Sequence, residues 1–330
     1  VAPPRGRGQG RRMTPLLEIR ALHTHFRTAR GQTVRAVDGV SLTIARDTVT
    51  GLVGESGSGK STLGKTLVGL LAPSAGEILY AGRPLPRRHR PADFRRQARA
   101  IQMIFQDPYA SLNPRMTVGE ILCEPLRLQD GGPRREHREL AAHWLERVGL
   151  AAGHMGRYPH EFSGGQRQRI AIARALIPGP EFVVCDEPIS ALDVSVQAQI
   201  VNLLEELRAS LGLTLLFIAH DLAMVRHLSQ RIAVMYLGRL VEEGPADALW
   251  SAPLHPYTRL LVAANPEPDP RAARARAHVP ASGEPPSPLD AVPGCGFATR
   301  CPLATGRCHG EAPQLRPVAE GRLAACHLLS

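Results

Sequence analysis

The chain has 330 residues, 43% of them hydrophobic, 21% charged and 4% aromatic. This composition excludes disordered and fibrous classes, and with no apolar run near the ~20 residues of a membrane-spanning helix, the chain is not expected to cross a bilayer by itself. Its formal charge of +10 suits either a solvated basic face or a polyanion-binding patch; the densest run, Arg83 to Arg99, is read as solvated because aromatics are too scarce for nucleic-acid stacking, and no nucleic-acid partner is expected.

The length suits one large domain with an appendage, or two modest domains, because single cores stop growing at roughly 250–300 residues. Residues 1–13 carry four arginines, Pro3 and Pro4 but no apolar core of a secretory signal. They read as a disordered basic leader, with Met13 a candidate start beside Val1. Alternating, β-branched runs from Leu16 to Phe26 and from Val34 to Ile44 predict two strands. A short apolar run, Val49 to Val53, leads into glycines and then into Leu63, Leu67, Leu70 and Leu71 at helical spacing. The order is strand, glycine loop, helix.

Ile101 to Phe105 predicts another strand. Thr117 to Leu150 reads as a helical insertion broken at Gly131-Gly132-Pro133. Phe182 to Cys185 and Leu213 to Ala219 are continuous apolar runs, as in parallel strands covered on both faces, each preceded by a helix. The helix from about Ser195 places Val196, Ile200, Leu203, Leu204 and Leu207 on one face. Ile232 to Tyr236 and Arg239 to Val241 are expected to finish the sheet, and the alternation predicts an α/β fold with ligands at the carboxyl ends of the strands. Eight prolines between Pro266 and Pro293 mark a semi-rigid linker over 265–293, and a cysteine-rich extension over 294–330 follows it.

Gly54-Glu55-Ser56-Gly57-Ser58-Gly59-Lys60-Ser61-Thr62 fits the phosphate-loop pattern G-x-x-x-x-G-K-[ST] in its confirming strand-to-helix context. Glycines let backbone N–H groups wrap a phosphate, Lys60 reaches the outer phosphates, and Ser61 can ligate magnesium. Lys60 is one of only two lysines in a chain whose other basic side chains are arginines. Asp186 and Glu187 end an apolar strand. In an extended chain their side chains point to opposite faces, so Asp186 can serve the metal while Glu187 addresses an attacking water. Phe162-Ser163-Gly164-Gly165-Gln166 precedes a helix and is a second small-residue anion site at a helix start.

Together with Gln106, Ser190-Ala191-Leu192-Asp193 and His220-Asp221, this order of motifs over residues 16 to about 245 resembles the ATPase subunits of ATP-binding cassette (ABC) proteins. The resemblance implies a P-loop ATPase domain over 14–264, with an antiparallel β subdomain and a helical subdomain at about 107–162. It also implies a nucleotide sandwich in which Lys60 and Ser61 of one subunit face Ser163 and Gly165 of another. Carried over by position, Gln106 senses magnesium and water, Glu187 is the base, His220 contacts the γ-phosphate and Asp193 shapes the interface. Adenine stacks on Phe26, with His25 the alternative.

Gln106-Asp107-Pro108-Tyr109-Ala110-Ser111-Leu112-Asn113-Pro114-Arg115 and His255-Pro256-Tyr257-Thr258 look like oligopeptide and dipeptide importers, with nickel and glutathione importers as close relatives. That resemblance implies a second, related ATPase chain, two permeases, an extracytoplasmic binding protein, and a place on the cytoplasmic face of the cell membrane. A non-transport cassette ATPase acting on DNA or ribosomes is the competing class; the long coiled coils or paired cassettes of such proteins are missing here.

Cys295, Cys301, Cys308 and Cys326 lie in a segment too polar and proline-rich to build much core. Thiolates there can hold an iron–sulfur cluster or zinc, with His309 and His327 as extra candidates; disulfides are disfavoured in the reducing compartment where ATP is found. The resemblance to peptide-importer ATPases implies the cluster, of the 4Fe–4S type. Cys123 and Cys185 read as small buried hydrophobes.

Overall fold

A computed structural model describes residues 15–129, 132–190, 192–265, 286–287, 289 and 292–329. The basic leader, most of the proline-rich linker and Ala191 lie outside the described residues.

The chain opens with β1 (Pro15–Arg27) and β2 (Thr33–Ala45), which pair antiparallel, then β3 (Val49–Val53) and α1 (Lys60–Leu67). Next come β4 (Ala75–Tyr80), β5 (Arg83–Pro84), α2 (Pro91–Ala100) and β6 (Ile101–Ile104). The helical insertion holds α3 (Pro108–Ser111), α4 (Val118–Gln129) and α5 (Arg134–Arg147). The chain returns through α6 (Gly164–Leu176), β7 (Phe182–Asp186), α7 (Val194–Leu211), β8 (Thr214–Ala219), α8 (Leu222–Leu228), β9 (Arg231–Tyr236) and β10 (Arg239–Pro245). It ends with α9 (Ala246–Ser251), α10 (Pro256–Ala264), α11 (Gly306–Gly310), β11 (Arg316–Ala319) and β12 (Arg322–Ala324).

The strands form two sheets, an antiparallel one in the order β2-β1-β4-β5 and an eight-stranded one in the order β11-β12-β10-β9-β3-β8-β7-β6. The five strands from β9 to β6 are parallel. Their alternation divides the core: Val183, Cys185, Leu215 and Phe217 face the helical side, whereas Val184, Leu216, Ile218 and Leu52 face α1 and the antiparallel sheet. Both faces being covered, the strands read as unbroken apolar runs. The carboxyl ends of β3, β6, β7 and β8 therefore gather at one edge, where an α/β sheet presents its ligand sites.

The tertiary structure changes two local expectations. The helix after the phosphate loop stops at Leu67, because Gly69 turns the backbone to φ +81°, so Leu70 and Leu71 lie beyond it. The sheet does not finish at β10 either. Strand β12 pairs antiparallel with β10, Glu242 opposite Ala324, and β11 pairs with β12. The extension supplies little core of its own and uses that of the preceding domain: Phe297 is 1% exposed and belongs to the larger hydrophobic cluster.

Candidate functional site

The phosphate loop is clasped from outside. Gly59 has φ +104°, and a Cβ there would lie 1.9 Å from the Ala36 carbonyl oxygen; at Gly54 it would lie 2.1 Å from that of Met235. No side chain fits either place. Gly238 N–H donates to the Ser58 carbonyl (2.9 Å), which ties the loop to the β9–β10 turn. A Cβ at Gly57, by contrast, would meet nothing within 4 Å. Lys60 is only 4% exposed, and its Nζ donates to the Gly54 and Glu55 carbonyls at 2.7 and 2.9 Å. Burial lowers its pKa, opposed by the charges of Glu187, Asp186 and Glu55. A buried ammonium resting on carbonyls alone, with the buried Ser58 Oγ also unpartnered, suits an incoming phosphate.

Ser61 Oγ donates to Asp186 Oδ1 at 2.8 Å. Burial raises the Asp186 pKa, while the Ser61 hydrogen bond and the nearby Lys65 oppose it; a hydroxyl and a buried carboxylate side by side are the hard oxygen donors that magnesium takes. Glu187 turns away from Asp186, though not by the pleat of an extended strand: its φ is +45°, and its N–H donates to the Ile218 carbonyl at 3.0 Å. A non-glycine residue held left-handed costs about 1–3 kcal/mol and is concentrated at functional sites. That turn carries the Glu187 carboxylate toward β6 and β8. Its Oε2 accepts from Gln106 Nε2 at 3.0 Å and lies 3.8 Å from His220 Nδ1. Gln106, the Asp186-Glu187 pair and His220, far apart in sequence, thus converge beside Lys60 and Ser61.

Ser163 caps α6. Its Oγ accepts from Gln166 N–H at 3.4 Å while Gln166 Oε1 accepts from Ser163 N–H at 3.0 Å, the reciprocal pair of a capping box. Gly164 lies against Leu192, and at Gly165 a Cβ would come within 2.5 Å of Val196 Cγ1 on α7. Arg167 holds the segment down by donating to the Pro159 and His160 carbonyls (2.6 and 3.1 Å) and by lying over the Tyr109 ring, 3.9 Å from its centroid. Among the described residues no hydrogen bond or ion pair joins Ser163–Gln166 to the phosphate loop of the same chain. Asp193 starts α7 with no side-chain capping bond of its own, which leaves its carboxylate for other contacts. Phe26 is 39% exposed at the end of β1, so its ring is available for stacking. Replacing Gly165 by Ala is expected to lower stability by about 1–3 kcal/mol through overpacking against the stiff Val196. A urea midpoint reads it, and adding Val196→Ala should recover most of the loss.

A family model described as ABC transporter matches residues 37–190, and one described as the C-terminal region of oligopeptide/dipeptide transporters matches residues 241–308. The chain belongs to the ABC transporter ATPases. Its C-terminal match places it in the oligopeptide/dipeptide transporter family. It is 49% identical over 322 residues to the oligopeptide transport ATP-binding protein OppF of Escherichia coli K12, covering 95% of this chain and 94% of that one. A Brucella ovis protein named for peptide import is 51% identical over 313 residues, covering 95% and 98%. Among solved structures, cbiO1 of Clostridium perfringens has a TM-score of 0.63 at 28% identity, covering 72% of this chain and 92% of that one. The cassette MJ0796, described as a dimer bound to ADP and phosphate, has a TM-score of 0.64 at 27% identity, covering 70% and 98%.

In this ATPase the cysteine-rich extension is seated on the nucleotide-loop side of the domain. Cys295, Cys301, Cys308 and Cys326 line one small pocket together with Phe297 and Leu303. None of the six cysteines is paired in a disulfide. Burial pushes the thiols of Cys295, Cys301 and Cys326 upward, partly opposed by the nearby backbone N–H groups of Phe297, Leu303 and Leu328, and Thr305 approaches the Cys308 Sγ at 3.4–3.5 Å. The sulfurs are not gathered as for a single ion. Zinc–sulfur bonds of about 2.3 Å would hold tetrahedral thiolates about 3.8 Å apart, whereas the one group among the described residues with three ligand atoms mutually within 4.8 Å is His23, His25 and Asp38. There, one carboxylate oxygen of Asp38 takes both imidazoles at 3.1 and 3.3 Å, and Arg239 grips the other with two bonds. This network ties β1 to β2 below Phe26. As predicted, Cys123 and Cys185 are buried small residues, at 7% and 0% exposure.

Sequence reading missed the residues that hold the loop from behind. Tyr257, 0% exposed, accepts the Glu55 N–H on its hydroxyl at 2.8 Å. Arg300 makes two bonds to the Glu55 carboxylate, at 2.8 and 3.1 Å. His255 caps α10 by accepting the Tyr257 N–H at its Nδ1 (3.0 Å), which explains the local spacing of His255-Pro256-Tyr257. Nothing in the sequence flagged Arg300, one arginine among many; its partner lies 245 positions away.

Proposed function

We propose that this ATPase is the motor of a membrane importer for oligopeptides or dipeptides. One observation carries the reading: the phosphate loop and the Gln106–Glu187 and Ser61–Asp186 pairs stand together, while the second anion-binding helix start, at Ser163, has no bond to them. A complete nucleotide site then needs the Ser163–Gln166 segment of a second ATPase chain, closing over ATP with Asp193 at the interface. The alternatives of nickel and glutathione are not favoured, since the relatives carry peptide and oligopeptide names; a DNA- or ribosome-directed role rests on the basic charge alone, and every arginine of the Arg83–Arg99 run is exposed.

In this proposal Phe26 stacks the adenine. The loop from Gly54 to Thr62 cradles the phosphates, with Lys60 leaving the Gly54 and Glu55 carbonyls for their oxygens. Ser61 and Asp186, with Gln106 nearby, would hold magnesium, which neutralises phosphate charge. Glu187 accepts the proton of the attacking water as its oxygen bonds to the γ-phosphorus and the bond to the bridging oxygen breaks, leaving ADP and phosphate. Gln106 orients that water and His220 contacts the γ-phosphate. No helix among the described residues is long and apolar enough to cross a membrane, so transport requires permeases. We assign two, engaged near Gln106 and the helical insertion, with a related second ATPase, an extracytoplasmic binding protein, and a position at the cytoplasmic face of the inner membrane.

The tagged chain, isolated anaerobically from native membranes in mild detergent, tests this by the mass of each co-purifying protein. Two permeases and a second cassette ATPase are expected; soluble, ribosomal or DNA-bound partners alone overturn the reading.

For the extension we infer a four-cysteine iron–sulfur cluster held by Cys295, Cys301, Cys308 and Cys326. What supports it is the donor set: four soft sulfurs around one pocket, spaced too widely for one zinc ion. A cluster supplies a covalent staple to a segment with little core of its own. Anaerobically purified protein should be brown, with iron and sulfide each near four per chain; colourless protein containing zinc overturns the assignment.

A further inference from the structure

Arg300 links the cysteine-lined pocket to the nucleotide loop. It immediately precedes Cys301, and its own N–H donates to the Phe297 carbonyl at 3.0 Å in the turn that begins at Cys295. Its guanidinium, 8% exposed, reaches out of the extension to the Glu55 carboxylate with a fork of two bonds, and it also donates to the Tyr236 hydroxyl at 3.3 Å. Phe297 fills the space behind it, 5.5 Å from each of the Tyr236 and Tyr257 rings.

Glu55 is held at three points. Its N–H rests on Tyr257, its side chain on Arg300, and its carbonyl receives Lys60 Nζ. The last of these is the lysine that must exchange carbonyls for phosphate when ATP enters. The Glu55 carbonyl also accepts the Ser58 N–H at 3.2 Å; freeing the side chain leaves these backbone bonds but removes the one that fixes the residue from outside the loop, and so loosens the backbone that ATP has to fit. A planar fork on a carboxylate fixes orientation in a way that a point charge does not.

We propose that Arg300 is a positioning residue for nucleotide binding, transmitting the state of the four-cysteine pocket to the phosphate loop, so that a ligated pocket strengthens the hold on ATP. The coupling half rests on the cluster assignment above; the positioning half does not. Two sites joined by one buried side chain are expected to share a coupling of about 5–150-fold in affinity.

The test is an equilibrium titration of the full chain with a fluorescent ATP analogue, with iron and sulfide measured for every variant. Arg300→Gln should weaken nucleotide binding about 10-fold with iron content unchanged. Arg300→Lys should restore only part of it. Glu55→Gln should match Arg300→Gln, and the double variant should be no worse than either, since the two act as one unit. Stripping iron with a chelator under reducing conditions should weaken binding by the wild-type chain but leave Arg300→Gln unaffected.

Unchanged affinity in Arg300→Gln at full iron content overturns the positioning role. Equal loss on chelation in both chains overturns the coupling. Iron-free wild-type protein overturns the cluster, while the Arg300 and Glu55 variants still decide whether the extension positions the loop. Should Arg300→Gln fail to fold, Glu55→Gln reads the same bond from the other side.

Discussion

Glu187→Gln is expected to cut ATP turnover by about 10²–10⁴-fold while leaving ATP binding in place. The loss corresponds to removing a general base. The geometry explains why binding should survive: Gln106 Nε2 can still donate to a side-chain oxygen at position 187, as it now does to Glu187 Oε2 at 3.0 Å, so the strand ends keep their arrangement. In the proposed site phosphate affinity resides in Lys60 and the loop, and Lys60 keeps the charges of Asp186 and Glu55 nearby. With hydrolysis blocked and ATP bound, the closed pair of ATPase chains should accumulate. Turnover in the assembled complex, together with ATP-dependent association followed by light scattering, measures both halves. Turnover within a few-fold of wild type would remove Glu187 from the role of base and direct attention to His220, 3.8 Å away.

Arg322→Ala is expected to destabilise the protein by about 3–5 kcal/mol. Glu242 on β10 is 0% exposed. Its carboxylate accepts the N–H groups of Leu254 and His255, and Arg322 from β12 donates to it at 2.8 Å. Without that arginine a carboxylate is left buried with its counter-charge gone, and its two N–H partners do not offset the desolvation. Arg322 also donates to the Ala252 carbonyl, so the same change loosens the α9–α10 connection. Against a total stability of about 5–15 kcal/mol the loss is large. Urea unfolding should show it, with faster hydrogen exchange in β11 and β12, and changing Glu242 to Gln in the same chain should recover much of it. A loss under about 1 kcal/mol would mean that water reaches Glu242 and the pair is not a structural lock.

The nucleotide chemistry was legible because it is local. Gly54 to Thr62 is contiguous, Ser163 to Gln166 carries its own capping box, and Asp186-Glu187 ends an apolar strand, so residue type and spacing are enough to name the parts. Even there, one reason was different. The Asp186 and Glu187 side chains diverge through a left-handed backbone at Glu187, and pleat alternation does not account for it.

The extension was the less legible part. Its cysteines stood out by type and spacing, yet its polar, proline-rich sequence suggested an extension with little core, stapled by its own cysteines. Strand pairing with β10, burial of Phe297 in the main core and the Glu242–Arg322 bond instead make it an edge of the ATPase sheet. Each of these depends on a partner many positions away, and an edge strand of three residues, Arg322–Ala324, carries too short a pattern to be read.

By itself, the sequence determined the α/β class, the glycine loop between strand and helix, the capped helix start at Ser163 and the set of four cysteines, because each is written in neighbouring residues through glycine conformational freedom, strand alternation or ligand chemistry. Only the tertiary structure decided that Gln106, Glu187 and His220 meet, that Tyr257 and Arg300 hold Glu55 from behind, and that the residue beside Cys301 reaches the phosphate loop. Those contacts span up to 245 positions, and they arise because burying both faces of the central sheet forces its strand ends, and the strands added at its edge, into one place.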